Sequence, residues 1–390
     1  LNYTTGKIKL YGGYNYTYSK FWFGGYNNRY FSDYTLKSED EGYWYGSNHF
    51  ARAGLDYFIN DNHTVYLSGR MSSRDGGQNQ EYFYTNSIDT LTDNFYRKTE
   101  GTSLNYDWEI NGGWQAKFNK PDHTLDLDVT YSYAPAYDDK DIAQHEYWND
   151  EVQDYESGQH TINDNLRRQL YTRLDYVYPI TDSITLEAGI HTTINTRDDD
   201  FFSESRVSPG SGFMVDDSLN NRFIYNQQVY AAYTTFGHQV GKFGYKLGLR
   251  AEQTMTNSRL VTTDEDFTNN YFQLFPSAHF SYKPNMKNEI QLSYSRRINR
   301  PNIRVLNPFP DYSDPYTLQK GNPFLLPEFI HVAELGYILY TDKWTVNTTA
   351  YYRYLTNMTR RVLIQTDTVS VVSFENIDNG HLTGLELIVN

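Results

Sequence analysis

The sequence predicts an all-β protein whose strands form an antiparallel, up-and-down β-barrel that spans a membrane. Three observations lead to this prediction. About fourteen segments alternate apolar and polar side chains, their connections alternate between short and long, and many segments run to 12–17 residues. Strands of ordinary globular proteins are most often about 5–6 residues long. We treat residues 1–390 as one barrel domain, in which no segment is convincing as a helix.

The alternation is clearest in LDLDVTYSYA, residues 125–134. Successive side chains of a strand face opposite sides, so the Leu, Val and Tyr row faces away from the Asp, Thr and Ser row. In segments of this kind no ionisable residue occupies the aliphatic row. Because Arg or Lys costs about 2–4 kcal/mol at the bilayer midplane, we expect this row to face lipid and the polar row to face a hydrated interior. A secreted, glycan-binding β-protein is an alternative.

The connections favour a barrel with two different rims. Short turns fall near 60–62, 119–122, 179–183, 237–242, 283–288 and 341–343, where Gly, Pro, Asn and Asp are frequent. Long connections are expected at 74–101, 136–163, 198–222, 258–269 and 300–326. Short periplasmic turns on one rim and long extracellular loops on the other are typical of outer-membrane barrels.

Composition excludes several classes of protein. The chain has no Cys, so disulfides and thiolate metal sites are impossible. Its formal net charge of −14 argues against a nucleic-acid partner. No apolar run approaches the roughly 18 residues of a membrane-spanning helix. The 38 Tyr suit a membrane rim, where an aromatic ring can keep one wet end.

No pattern of residues predicts catalysis or a cofactor. Nucleophile-elbow, zincin, phosphate-loop and dinucleotide motifs are missing, and the His145-Glu146 pair lacks the second His of a zincin. We therefore expect no enzyme activity. A barrel hydrolase that uses His191 with a neighbouring Ser or Thr is an alternative.

Two long connections carry most of the negative charge. Residues 136–163 hold eight acids and one base, and residues 198–222 hold six acids and two Arg. A solvated surface is the plain interpretation, and divalent-cation binding is the functional one. No metal site is predicted outright, but the sharpest candidate is Asp198, Asp199 and Asp200, which lack calcium-loop spacing. Candidate aromatic contacts to a ligand are Tyr147, Trp148, Tyr312 and Tyr316.

The richest stretch is RRINRPNIRVLNPFPDYSDPYTLQKGNPFLLPEF, residues 296–329, called the proline segment below. Six of the 12 prolines lie there, and each removes a backbone donor, so no strand ladder can pass through intact. This stretch closely resembles the barrel region of TonB-dependent receptors, in the outer-membrane β-barrel family. The residues that carry the resemblance are Arg300, Pro301, Leu306, Asn307, Pro308, Phe309, Asp314, Pro315, Tyr316, Gly321, Asn322, Pro323, Leu326, Pro327 and Glu328, with Asn376 and residues 384–387 after them.

The resemblance implies a 22-stranded barrel in the bacterial outer membrane, closed by an N-terminal plug domain. An inner-membrane energy-coupling protein would act through that plug to import a large nutrient, such as an iron chelate, a vitamin, an oligosaccharide or a peptide. The sequence departs from this pattern, because it shows no plug and too few strands, so we expect a fragment. A non-transporting barrel, such as an adhesin or an assembly component, is the other outer-membrane alternative.

Overall fold

The computed structural model describes residues 1–390 except 31–33, 89–90, 149–150, 209, 218, 311–316 and 366–369. The side chains of residues 34, 86, 88, 91–93, 146–148, 151–156 and 317 also lie outside the description. In the described residues the chain is almost entirely strand, with one short helix. The all-β, up-and-down fold predicted from the sequence is confirmed.

Fourteen long strands and three short ones are present in the described part of the chain. The long strands are β2 (Ile8–Tyr30), β3 (Tyr34–Asn60), β4 (His63–Ile88), β5 (Leu91–Lys117), β6 (Thr124–Trp148), β7 (Glu151–Thr181), β8 (Ile184–Arg206), β10 (Asn221–Val240), β11 (Phe243–Leu260), β12 (Glu265–Asn285), β13 (Asn288–Asn299), β15 (Glu328–Tyr340), β16 (Thr345–Gln365) and β17 (Ser370–Val389). The short strands are β1 (Asn2–Thr5), β9 (Met214–Val215) and β14 (Thr317–Gln319), and the single helix is α1 (Ile303–Leu306).

The long strands form one antiparallel ladder in chain order. β2 pairs with β3 and so on to β8, β8 pairs with β10, and the ladder continues to β13, β15, β16 and β17. The sheet is not closed, since β2 and β17 are not paired with each other among the described residues. Among the strands that the structure describes, β14 alone pairs in parallel, beside β17.

The short-turn rim matches the predicted turns. Two residues connect β3 to β4, β7 to β8, β10 to β11, and β12 to β13. Gly241 has a φ of 57° in the β10–β11 turn, the left-handed conformation that such tight hairpins need. The β5–β6 and β15–β16 turns are longer, and Asp122 has a φ of 59° in the first of them.

The opposite rim differs from the prediction, because most of the expected loops are strand. β4 and β5 stay paired from Thr64↔Gln115 to Ile88↔Leu91, through most of the expected loop at 74–101. β6 and β7 likewise stay paired to Trp148↔Glu151. The connection expected at 258–269 shrinks to residues 261–264, and the one at 198–222 to residues 207–220 with β9 inside it. Within the described part of the chain, the one connection of more than twenty residues between long strands is 300–327 of the proline segment, and it contains α1, which the sequence did not predict.

The two faces of the sheet have different surroundings. One face, the inner face, is covered by the proline segment and carries buried side chains such as Phe223 and Thr254, both 0% exposed. The other, the outer face, exposes large apolar side chains, among them Ile110, Leu292 and Leu385. The apolar rows read from the sequence therefore lie on the outer face.

Candidate ligand-binding site

The proline segment folds back over the inner face instead of standing away from the rim. Its first turn is α1, where the Asn302 side chain caps the helix by accepting a hydrogen bond from the Val305 amide at 3.3 Å. Asn and Asp are strongly preferred at this position because the first helical amides lack backbone partners. Beyond the undescribed residues 311–316, β14 brings the chain beside β17, and Lys320 N donates to Val372 O at 2.8 Å.

Arg300 fixes the start of the segment to strands β11 and β12. Its guanidinium donates to Glu252 Oε2 at 2.5 Å, to Thr254 Oγ1 at 3.1 Å and to Tyr271 OH at 3.2 Å. Glu252 is only 4% exposed and also pairs with Arg250. A carboxylate that is this buried is stable only with such partners, so the pair ties the segment to the barrel wall.

The middle of the segment is held by backbone contacts that need a glycine. Gly321 N donates to Asn307 O at 2.8 Å, and Asn322 N donates to Val305 O at 2.7 Å. A Cβ at Gly321 would lie 2.4 Å from Asn307 O, closer than any side chain can approach. The Asn322 side chain then donates to Phe374 O at 3.0 Å and so reaches β17.

The end of the segment is anchored by Asn376 and Glu328. The Asn376 amide accepts from Leu326 N at 2.8 Å and donates to Leu326 O at 3.0 Å and to Asn357 O at 2.8 Å. Glu328 accepts from Thr359 N at 2.6 Å and from the Asn299 side chain at 2.8 Å. The segment is thus attached to β11 and β12 at one end and to β16 and β17 at the other.

An apolar cluster fills the space between the segment and the wall. Its buried members are Phe223, Tyr225, Leu260, Leu306 and Leu325, with Phe267, Ile303, Val305, Phe309 and Phe374 packed around them. Burial raises the pKa of Tyr225 to about 12, so its hydroxyl stays neutral at physiological pH. Because apolar burial stabilises a fold by about 25 cal/mol per Å², this cluster adds to the polar anchors in fixing the segment.

A cavity of about 650 Å³ remains between the segment and the inner face of β6, β7 and β8. The β7 wall presents Gln159, Thr161, Asn163 and Asn165, while the segment presents Asn307 and Phe309. Cavities of about 300–1,000 Å³ are typical of small-molecule sites. Hydroxyl and amide groups with an aromatic ring make this one suited to a polar ligand.

Nearer the short turns, the inner face carries a network of paired charges. The Asp128 carboxylate accepts from Tyr66 and from Arg173 at 2.6 Å. Asp175 accepts from Tyr233 at 2.8 Å and is bonded to His191 at 3.1 Å. Lys246 pairs with Glu187 in the same way at 2.8 Å. The polar rows therefore satisfy one another on the face turned away from lipid.

His160 ties three strands together beyond the membrane. It lies about 20 residues from the short-turn end of β7, past the roughly 9–11 residues that cross the hydrocarbon. Its ring nitrogens lie 3.0 Å from Asp139 Oδ1 on β6 and 3.2 Å from Glu204 Oε1 on β8. Partial burial opposes the charged form, but the hydrogen bonds to Glu204 and Asp139 outweigh it and raise the pKa of His160. Both nitrogens can donate only when the ring is protonated.

The structure separates Asp199 from Asp198 and Asp200, because alternate residues of β8 face opposite sides. Asp200 lies 4.0 Å from Arg222, the residue that also holds Asp198. Asp198 is held by Arg222, with hydrogen bonds of 2.9 and 2.7 Å. Asp199 points to the inner face and pairs with Arg197 at 2.7 Å, and burial raises its pKa. No group of three His, Asp or Glu that could hold a metal occurs among the described residues.

Several other candidates cannot be placed. Tyr147 and Trp148 end β6, but their side chains lie outside the described residues, as do Asp314, Pro315, Tyr312 and Tyr316 altogether. Of the other family-motif residues, Arg300, Asn322 and Glu328 contact the wall as described above, and Gly321 and Pro327 are buried. For His191, no serine or threonine hydroxyl is hydrogen-bonded to the ring within the described ranges.

Sequence reasoning missed the wall residues that receive the segment. In the sequence, nothing distinguishes Glu252, Thr254 and Tyr271 from other residues of the alternating strands. The only signal was their position on the polar face of strands close to the proline segment. Contacts such as Arg300 to Glu252, 48 residues apart, follow from the folded ladder and not from spacing along the chain.

The model of the Outer membrane protein beta-barrel family matches residues 116–390. The chain belongs to this family and is located in the bacterial outer membrane. A search of curated protein sequences finds no match to the chain. No helix in the described residues is long and apolar enough to cross a membrane.

Solved structures confirm the fold. The copper transporter OprC aligns with a TM-score of 0.53 at 12% identity, over 97% of this chain and 58% of its own. The ferric enterobactin receptor of Pseudomonas aeruginosa, solved as a mutant, aligns with a TM-score of 0.51 at 12% identity, over 97% of this chain and 59% of its own. The ferric-catecholate import receptor Fiu of E. coli K12 aligns with a TM-score of 0.50 at 10% identity, over 98% of this chain and 61% of its own. The chain thus spans about three fifths of these structures, and the likeness to TonB-dependent receptor barrels holds for the fold.

Proposed function

We propose that the chain is the barrel wall of an outer-membrane receptor that imports a nutrient too large for porins. The observation that carries this proposal is the polar cavity of about 650 Å³ between the fixed proline segment and β6–β8. It lies on the inner face, beyond the membrane-spanning level, where a ligand from outside would arrive first. The shared fold of import receptors supports the proposal, and no enzymatic step is part of it.

Import would need parts beyond residues 1–390. We propose that a plug domain and further strands complete the barrel, and that an inner-membrane energy-coupling protein acts through the plug. The supporting facts are the open sheet and the length of the structural neighbours.

The test is uptake by cells of the source bacterium with and without the gene for the full receptor. Radiolabelled iron chelates, vitamins, oligosaccharides and peptides are offered one at a time, with and without an uncoupler of the proton gradient. We expect one class to accumulate only with the gene and only in energised cells. Surface binding without energised accumulation of any class would instead favour a non-transporting barrel.

A further inference from the structure

The charges on the cavity wall are unequally paired. Lys140 of β6 and Arg304 of α1 both line the cavity, and neither forms an ion pair within the described part of the chain. Arg197 and Asp199 neutralise each other at 2.7 Å. Asp138 is the one other carboxylate among the lining residues. In a chain of net charge −14, two cations that form no ion pair with a described residue favour an anionic group on the ligand of this cavity.

Asn221 adds a nearly buried polar side chain to the cavity wall. Asn221, at the start of β10, lines the cavity and is 5% exposed, and its Oδ1 has no hydrogen bond to any described residue. Its amide is a further polar group at this end of the cavity.

The neutral side chains of the cavity wall are also mostly hydrogen-bonding groups. Gln159, Thr161, Asn163 and Asn165 form one row along β7, and amides can donate and accept together, as hydroxyl groups can. Phe309 also lines the cavity, on the side of the proline segment. Such a wall fits a molecule with many hydroxyls, whereas a bare metal ion would find no ligand cluster there.

We infer that this cavity binds an anionic saccharide, with a carboxylate at Lys140 and Arg304 and hydroxyls along β7 and at Asn221. The inference rests on the proposed import function and names the substrate class of the same site. It concerns only binding, so no chemical step is involved. A hydroxycarboxylate chelate of iron shares the negative charge but lacks the extended row of hydroxyls.

The experiment is isothermal titration of the detergent-solubilised full receptor with digalacturonate. We expect binding to be about tenfold weaker in Lys140→Gln and in Arg304→Gln, since a charge-assisted hydrogen bond is worth at least one factor of ten. The methyl ester of the same disaccharide lacks the charge. It should bind the unaltered receptor about as weakly as digalacturonate binds the two variants. Lys246→Gln, on the inner face but near the short turns, is the matched control and should bind normally.

Other outcomes would overturn the inference. These are the absence of digalacturonate binding, equal binding of acid and ester, or ferric citrate binding that alone responds to the two substitutions. Circular dichroism of each variant checks that the strands are intact. The import proposal fails on a different result, namely tight and charge-dependent binding of digalacturonate without energised uptake. The two failures can therefore be distinguished.

Discussion

The guanidinium of Arg300 donates a 2.5 Å hydrogen bond to Glu252, a carboxylate that is 4% exposed on a strand 48 residues earlier in the chain. This contact ties the proline segment to β11 directly after the segment leaves β13. It explains why an arginine precedes the first proline of the segment, since lysine could not reach Glu252, Thr254 and Tyr271 with one planar group.

Replacing Arg300 by alanine should destabilise the receptor. Glu252 would lose one of its two cationic partners while it stays buried, and breaking a buried pair costs about 3–5 kcal/mol. We expect a lower thermal unfolding temperature in detergent, measured by calorimetry. Arg304→Ala is the matched control, because Arg304 is exposed and pairs with no described carboxylate. Equal effects of the two substitutions would contradict the anchoring role of Arg300.

Gly321→Ala should loosen the segment. The added Cβ would meet backbone atoms of Asn307 at 2.4 and 2.8 Å, and such overpacking costs about 1–3 kcal/mol. We expect faster cleavage within residues 300–327 under limited proteolysis. Gly336→Ala on β15 is the control, because its nearest neighbour would be Gln291 Cβ at 3.6 Å. Unchanged cleavage in the Gly321 variant would show that the backbone accommodates the methyl group.

The hairpins around His160 should open as pH rises. The folded pKa of His160 is raised above its usual value of about 6.5, so the stabilisation is complete below that value and is lost as pH passes the folded pKa. Asp139 and Glu204 would then lose their charged partner. Hydrogen exchange of β6–β8 amides between pH 5.5 and 8.5 measures this. His160→Gln should remove the pH dependence, and a pH dependence that survives in that variant would exclude His160 as its cause.

Neighbouring residues of β13 should meet different surroundings. Leu292 is 51% exposed on the outer face, whereas Ser293 lies on the inner face within hydrogen-bonding distance of Glu334. The chain has no native cysteine, so Leu292→Cys and Ser293→Cys each give one reactive thiol. A lipid-borne probe should label the first in native vesicles, and a water-soluble reagent the second. The reverse pattern would mean that the two faces have been exchanged.

The sequence predicted the ladder well because its signal is local. In LDLDVTYSYA, residues 125–134, the alternation alone shows which side chains share a face of the sheet. The structure agrees, since it pairs Asp128 with Arg173 on the inner face. The turns were equally predictable from Gly, Asn, Asp and Pro. In these cases the residues that carry the signal are adjacent in the chain.

The hairpin extensions at 74–101 and 136–163 were mistaken for loops for a physical reason. Above the membrane both faces of a strand meet water, so apolar residues no longer alternate with polar ones, although the backbone ladder continues. The cavity was unpredictable because Lys140, Asn221 and Arg304 come from three distant parts of the chain. Only the register of the strands and the return of the proline segment bring them together.

The length of β7 has a consequence at the cell surface. Its 31 residues extend for about 100 Å at about 3.3 Å each, and a tilt near 45° leaves about 70 Å along the barrel axis. The hydrocarbon takes up only about 30 Å of that height. Because β6 and β7 stay paired to Trp148↔Glu151, their hairpin extends far beyond the hydrocarbon, and the cavity-lining residues of β7 lie well outside the membrane-spanning level.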